Sequence, residues 1–451
     1  MTLPSRRLRL TLFSVLAVAA AAFIYLLWIV AGPGPMHFAG GEQVPIGNYG
    51  GADPTGVPEE LSRASLIERG RYLARAADCE ACHTSKSGVP YSGGRAFVLP
   101  FGTLYSTNIT PDPQTGIGNY TNAEFLKVIH SGIGRGGKRL YPAMPYASYT
   151  YMSDADALAI KAYLFSLEPI HLAGPQTSLK FPFSQRWLMG IWAFIFNSDK
   201  RFEPNTQRDA QWNRGAYLAE AMAHCGECHT PRNLLQALNN RAKFSGTAQA
   251  GWRAYNITPD RKSGLGEWSD AGIAAYLSTG HAEGHGTAAG PMGEAVDASL
   301  RYLTQPDVAA IVAYLRSIPA VATSDLPRPS ARIAPSSPAQ GAAANLNPLG
   351  KAVYEGACAS CHGWNGISPV MAVATLTGVR AVNDPTAINV AQVIISGAPG
   401  HGDADTANMP AFGDAYSDEE IASVANYVTA RFGAQSSALT AEHVAKLRSA
   451  D

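Results

Sequence analysis

All six cysteines of the 451-residue chain stand in C-x-x-C pairs, and a histidine follows each pair directly. The motifs read "CEACH" (79–83), "CGECH" (225–229) and "CASCH" (358–362). No other feature constrains the fold as much, because every pair has to be used locally. A disulfide framework would leave the three histidines without a role. Zinc needs two such clips inside one domain, and these lie more than 100 residues apart. A thioredoxin-like dithiol requires neither the histidine nor the triplication. C-x-x-C-H is the spacing of c-type haem attachment, in which two thiols add to the two vinyl groups and the adjacent imidazole takes the iron. Three haem c groups are therefore expected, on Cys79 and Cys82, Cys225 and Cys228, and Cys358 and Cys361, with His83, His229 and His362 on the irons.

The repeat extends beyond the clips. "ERGRYLARAADCEACH", "NRGAYLAEAMAHCGECH" and "LGKAVYEGACASCH" each place a glycine (Gly70, Gly215, Gly350) in a short helix before the first cysteine. Glycine inside a helix costs about 1 kcal/mol relative to alanine unless a second helix has to approach closely. The partner helices are expected at "SDADALAIKAYLFSL", "TQPDVAAIVAYLRSI" and "SDEEIASVANYVTARF". Each opens on a cap residue, has acidic first turns and carries a tyrosine near its end (Tyr163, Tyr314, Tyr427). Units one and two also share "NITPD", at 108–112 and 256–260, where Asn108 and Asn256 read as turn residues. Three units of roughly 100 residues, each bracketed by two packed helices, imply three domains.

Each unit resembles a class I cytochrome c domain, and the whole chain resembles the three-haem cytochrome c subunits of membrane-bound bacterial dehydrogenases over about residues 62–435. The resemblance implies a mainly α fold of three tandem class I cytochrome c domains after an N-terminal transmembrane helix. It also implies a methionine as sixth ligand on a loop before each closing helix. Met144 in "YPAMPYASY", Met292 in "AGPMGEAV" and Met409 in "NMPAF" occupy those positions. Met152 lies too close to its helix and Met371 too close to its clip. His130, His281, His285 and His401 read as exposed loop residues, and His224 as facing outward.

Outside the repeats the chain has its own signals. Arg6, Arg7 and Arg9 precede an apolar run at 10–32. At about 1.5 Å per residue this run spans a hydrocarbon core, and its basic flank points to a cytoplasmic start. A cleaved secretory signal is the competing reading. Both export the body of the chain, so the expected location is the bacterial inner membrane with the haem domains facing the periplasm. The expected division is 1–33 anchor, 62–170 domain one, 171–206 connector, 207–320 domain two, 321–345 linker, 346–435 domain three and 436–451 tail. The connector holds "FPFSQRWLMGIWAFIF" (181–196), too short to span and aromatic enough for the interface. Arg186, Trp187 and Trp192 are its candidate quinone or membrane contacts. The Pro-, Ala- and Ser-rich linker implies a loosely tethered third domain or a segment laid along a partner.

Net charge is zero and 16% of residues are charged, which argues against nucleic acid as a partner. No dinucleotide fingerprint or P-loop is present, so a separate subunit is expected to oxidise the substrate. The resemblance implies a dehydrogenase catalytic subunit upstream and membrane ubiquinone downstream. Unit two looks most like the cytochromes of molybdenum aldehyde dehydrogenases, which would add an iron–sulfur subunit. Cytochromes of pyrroloquinoline-quinone alcohol dehydrogenases and flavin sugar dehydrogenases are the alternatives. An electron carrier to a terminal oxidase and a multihaem peroxidase are the readings from other classes.

Overall fold

A computed structural model describes residues 6–86, 88–330, 334, 347–398, 400, 401 and 408–449. Helix α1 (Arg6–Ala31) is the apolar run. Its stretch Leu10–Ala31 is long and apolar enough to cross a membrane, and none of it is buried in the protein. Unit one contributes α2 (Leu66–Ala76), the one-turn α3 (Cys79–Cys82), α4 (Asn122–Ser131), α5 (Tyr146–Tyr149) and α6 (Asp154–Phe165). Connector helix α7 (Leu188–Phe196) follows. Unit two contributes α8 (Ala210–Tyr217), α9 (Gly226–His229), α10 (Asp270–Thr279), α11 (Gly290–Ala298) and α12 (Gln305–Ser317). Unit three contributes α13 (Pro348–Val353), α14 (Ala359–His362), α15 (Ile388–Ser396), α16 (Asp418–Phe432) and α17 (Ala441–Arg448). The fold is mainly helical. Strands are short: β1 (Ala96–Leu99), β2 (Gly102–Tyr105) and β3 (Ser178–Leu179) form an antiparallel sheet in that order, with Ala96 opposite Tyr105 and Gly102 opposite Leu179. β4 (Thr247–Gln249) pairs with β5 (Trp252–Ala254), and β6 (His281–Ala282) with β7 (Gly286–Thr287).

The three expected helix pairs form, α2 on α6, α8 on α12 and α13 on α16. Each crosses at its glycine. A Cβ on Gly70 would lie 1.9 Å from the Ala159 carbonyl, and one on Gly215 1.9 Å from that of Ala310. On Gly350 it would lie 2.1 Å from that of Ser423. The tyrosines of the closing helices, Tyr163, Tyr314 and Tyr427, pack over the same spots.

Units one and two share one buried core, from Met36 to Ile318, while unit three has its own, from Ala334 to Leu447. A reciprocal exchange of hydrogen bonds explains the fusion. Tyr72 on α2 donates to Asp307 Oδ2 on α12 at 2.6 Å, and Tyr217, two residues after Gly215 as Tyr72 is after Gly70, donates to Asp156 on α6. The two aspartates hold the same place in their helices, three residues after the cap (Ser153, Thr304). The units are thus related by a local two-fold exchange. Unit three has Ala352 at the tyrosine position, and its Glu420 closes a capping box on Ser417. It cannot join the exchange.

Unit three nonetheless docks firmly on unit two through polar contacts. The Arg253 guanidinium lies 2.6 Å from Asp325 and 3.1 Å from the fully buried Asp384. Asn389 exchanges two 2.8 Å hydrogen bonds with the Arg253 backbone. Residues 321–330 are held along the seam rather than loose. Val321 O accepts from Asn256, Pro327 O accepts from Arg380, and Leu326 is buried. The carbonyls of this Pro- and Ala-rich stretch serve as acceptors, which composition does not reveal. Residues 331–333 and 335–345 of the expected linker lie outside the described residues.

Candidate haem-binding sites

None of the six cysteines is in a disulfide. Burial pushes the Cys79 and Cys225 thiols up to about 12. Among the described residues no cluster of three or more His, Cys, Asp or Glu could hold a metal ion. The backbone is left-handed directly before the first cysteine in two motifs, at Asp78 (φ 51°) and His224 (φ 39°). That turn sets each clip off from its lead helix.

The motif histidines are oriented alike. Nδ1 of His83 lies 2.7 Å from the Thr107 carbonyl, that of His229 2.6 Å from the Tyr255 carbonyl, and that of His362 2.6 Å from the Ala374 carbonyl. A carbonyl can only accept, so Nδ1 carries the proton and Nε2 keeps its lone pair. Burial lowers the pKa of all three rings, opposed by these same hydrogen bonds, and favours the neutral form that ligates a metal. A neutral imidazole with a free, oriented Nε2 beside two unpaired thiols fits a haem c three times over.

The acceptors Thr107 and Tyr255 directly precede the asparagines of the two "NITPD" stretches. Asn108 and Asn256 are buried. Their Oδ1 atoms accept from the Thr110 and Thr258 backbones, and their Nδ2 atoms donate to the Ile170 and Val321 carbonyls. The turn thus fixes the carbonyl that orients the histidine. The repeated pentapeptide signalled it in the sequence, although the carbonyls carry no signature. Nothing comparable flags Ala374 in unit three.

Met144, Met292 and Met409 are partly buried against their cores, Met152 is fully buried in packing, and Met371 is at the surface. Met409 pairs with Ala398 across a short bridge. The structure brings units one and two together at these segments. Helix α11, which carries Met292, packs on α3 with its Cys79 and Cys82, and Ser148 on α5 donates to Glu227 between Cys225 and Cys228 at 2.8 Å. On its other side unit two meets unit three, where β7 touches residues 372–374, which include the His362 acceptor.

The expectations for three histidines are corrected. His130 is buried at 3% exposure with Nε2 unpartnered, and burial lowers its pKa to about 4. His401 is buried between Asp297 (3.0 Å) and the Ala288 carbonyl (2.7 Å), plugging unit three into unit two. His224 turns inward against Tyr149. Each sits at a seam that only the fold creates. In the connector, Arg186 donates to the Arg139 carbonyl and Trp192 to the Leu235 carbonyl, both at 2.9 Å, while Trp187 is 64% exposed.

A family model for cytochrome c matches residues 67–168 and 348–431. The fructose dehydrogenase cytochrome subunit of Gluconobacter japonicus is 40% identical over 421 residues, covering 88% of this chain and 85% of that one. The gluconate 2-dehydrogenase cytochrome c subunit of Pantoea cypripedii is 37% identical over 409 residues, 87% of this chain and 91% of that one. A nicotinate dehydrogenase subunit of Pseudomonas putida is 41% identical over 378 residues, 82% of this chain and 31% of that longer protein.

Proposed function

We propose, for a chain that belongs to the cytochrome c subunits of bacterial dehydrogenases, that it carries three haem c groups and passes electrons from a separate dehydrogenase subunit to membrane ubiquinone. The carrying observation is the threefold set of unpaired cysteines beside a histidine held by a backbone carbonyl. Haem supplies one-electron chemistry when bound. Cys79, Cys82, Cys225, Cys228, Cys358 and Cys361 would hold the porphyrins. His83, His229 and His362, with Met144, Met292 and Met409, would hold the irons. The chain's part is to preset these ligands so that little has to move on electron arrival. Packing of α11 on α3, and of unit two on residues 372–374, supports unit two as the middle of the relay.

Helix α1 would anchor the chain in the inner membrane, with the three tandem domains in the periplasm. Helix α7 would lie at the interface. Its Trp192 ring meets Tyr146, two residues after Met144, at 5.8 Å between centroids. Of the three quinone-contact candidates, only Trp187 presents an open ring. For the upstream partner, the residues of unit two carry the reading of a molybdenum aldehyde dehydrogenase with an iron–sulfur subunit. A sugar- or alcohol-oxidising partner is the second reading, its sugar branch favoured by the names of the fructose and gluconate dehydrogenase relatives.

Purification from membranes with native partners tests the proposal. The pyridine haemochrome should report three haems per chain, and the co-purified cofactor (molybdenum, flavin or quinone) identifies the partner. Oxidase subunits in place of a dehydrogenase would sink the assignment. Replacing Met144, Met292 or Met409 should each remove one methionine–iron charge-transfer band. An unchanged spectrum would refute that ligand.

A further inference from the structure

Residues 233–235 form a loop of unit two whose tip the fold leaves bare. Leu234 is 99% exposed and Leu235 48%, although nothing in the packing of unit two requires apolar residues there. Two sets of hydrogen bonds decide where this tip sits. On one side it is tied to the end of α1. Asn233 Nδ2 donates to the Val30 carbonyl at 3.3 Å, Asn240 to that of Pro33 at 3.0 Å, and Arg241 to that of Ile29 at 2.9 Å. The last carbonyls of a helix have no partner within it, so Asn233 and Arg241 cap the spanning helix where it leaves the membrane, and Asn240 holds Pro33 just past its end. On the other side Trp192 of α7 donates to the Leu235 carbonyl. Helix α7 exposes Phe194 (85%) and Ile191 (52%) next to that contact.

We propose that the Leu234–Leu235 tip and the exposed face of α7 form one membrane-inserted platform, so that unit two itself is seated on the lipid surface. This rests on reading α1 as a membrane span, and it goes beyond the connector alone. The occupant is the headgroup–acyl boundary of the bilayer. The platform is continuous with the point where α1 enters that boundary, and polar donors clamp the two together. An apolar tip fixed at the exit of a spanning helix must lie at interfacial depth. The clamp also converts a flexible tether into a fixed posture, because Asn233 and Arg241 grip the last turn of α1 and Asn240 holds Pro33 just beyond it.

The test uses the full-length holoprotein in phosphatidylcholine–phosphatidylglycerol vesicles. In it the six native cysteines are consumed as thioethers and take no label. L234C and F194C are spin-labelled singly, with E442C on the charged surface of α17 as reference. Leu234 is almost wholly exposed, so its replacement leaves the fold undisturbed. The expected result is a several-fold loss of relaxation by a water-soluble nickel chelate at positions 234 and 194 relative to 442, with a gain from oxygen. Nickel access at 234 equal to that at 442, in protein that still floats with the vesicles, would overturn the platform while leaving the anchor intact. Shielding from both reagents would mean that a protein surface covers the tip, and would overturn it too. Protein that fails to float would remove the anchor reading on which the platform rests.

Discussion

Replacing Gly350 with alanine tests the helix crossing where it can be read most cleanly, because unit three has a core of its own. The new Cβ would sit 2.1 Å from the Ser423 carbonyl and 3.0 Å from Tyr427 Cβ. Carbon and carbonyl oxygen rarely approach closer than about 3.3 Å, so α13 must retreat from α16 by about 1 Å. A gap of that size forfeits a quarter to a half of each dispersion contact it opens. Overpacking of this kind costs about 1–3 kcal/mol, and alanine returns up to about 1 kcal/mol of helix propensity. The net expectation is a loss of about 1–2 kcal/mol. Gly356 provides the control, since a Cβ there meets nothing within 4 Å. G356A should be neutral or slightly stabilising. Urea titrations of the holoprotein, followed by circular dichroism and by limited proteolysis within unit three, measure both. Equal midpoints for G350A, G356A and the parent would refute the claim that close approach explains the glycine.

Tyr72→Phe and Tyr217→Phe should each cost about 1.5–3 kcal/mol, the range for a hydrogen bond to a carboxylate, and thermal unfolding should give similar values if the exchange is two-fold. Asp384→Ala removes a buried partner of Arg253 and of Tyr255. It should raise hydrogen exchange in α15 without affecting α2 or α6. His130 makes stability pH-dependent. Burial first, then Arg201, lowers its pKa from 6.5 to about 4, so between these values the unfolded state binds more protons and stability falls as pH falls. The slope from this residue is at most about 1.4 kcal/mol per pH unit, and denaturant titrations of His130→Gln should show it flattened over that window.

The C-x-x-C-H clips and the glycine-marked helix pairs were legible because each is a local pattern with a fixed spacing. Their orientation was less so. Thr107, Tyr255 and Ala374 act through backbone carbonyls, which every residue possesses, and only the repeated "NITPD" hinted at two of them. The fusion of units one and two was hidden in plain residues, since Tyr72, Asp156, Tyr217 and Asp307 each read as ordinary helix positions until the fold pairs them across units. Burial of His130 and His401 is illegible for the same reason, because a histidine at a helix end or in a loop is exposed or buried according to what packs on it. The proline-rich stretch after residue 320 looked unanchored because its acceptors are carbonyls and its donors, Asn256 and Arg380, lie far away in sequence.

The exchange of tyrosines between units one and two has a consequence for current flow. The reciprocal hydrogen bonds support both lead helices in the same way, so by themselves they set no direction between the two sites. Rectification has to come from what breaks the half-turn. Those breaks are Glu227 set against Ser148, the buried Lys243–Glu220 pair of unit two, and the one-sided docking of unit three. Substitutions at these positions, rather than at the symmetric tyrosines, are expected to act differently on the two sites.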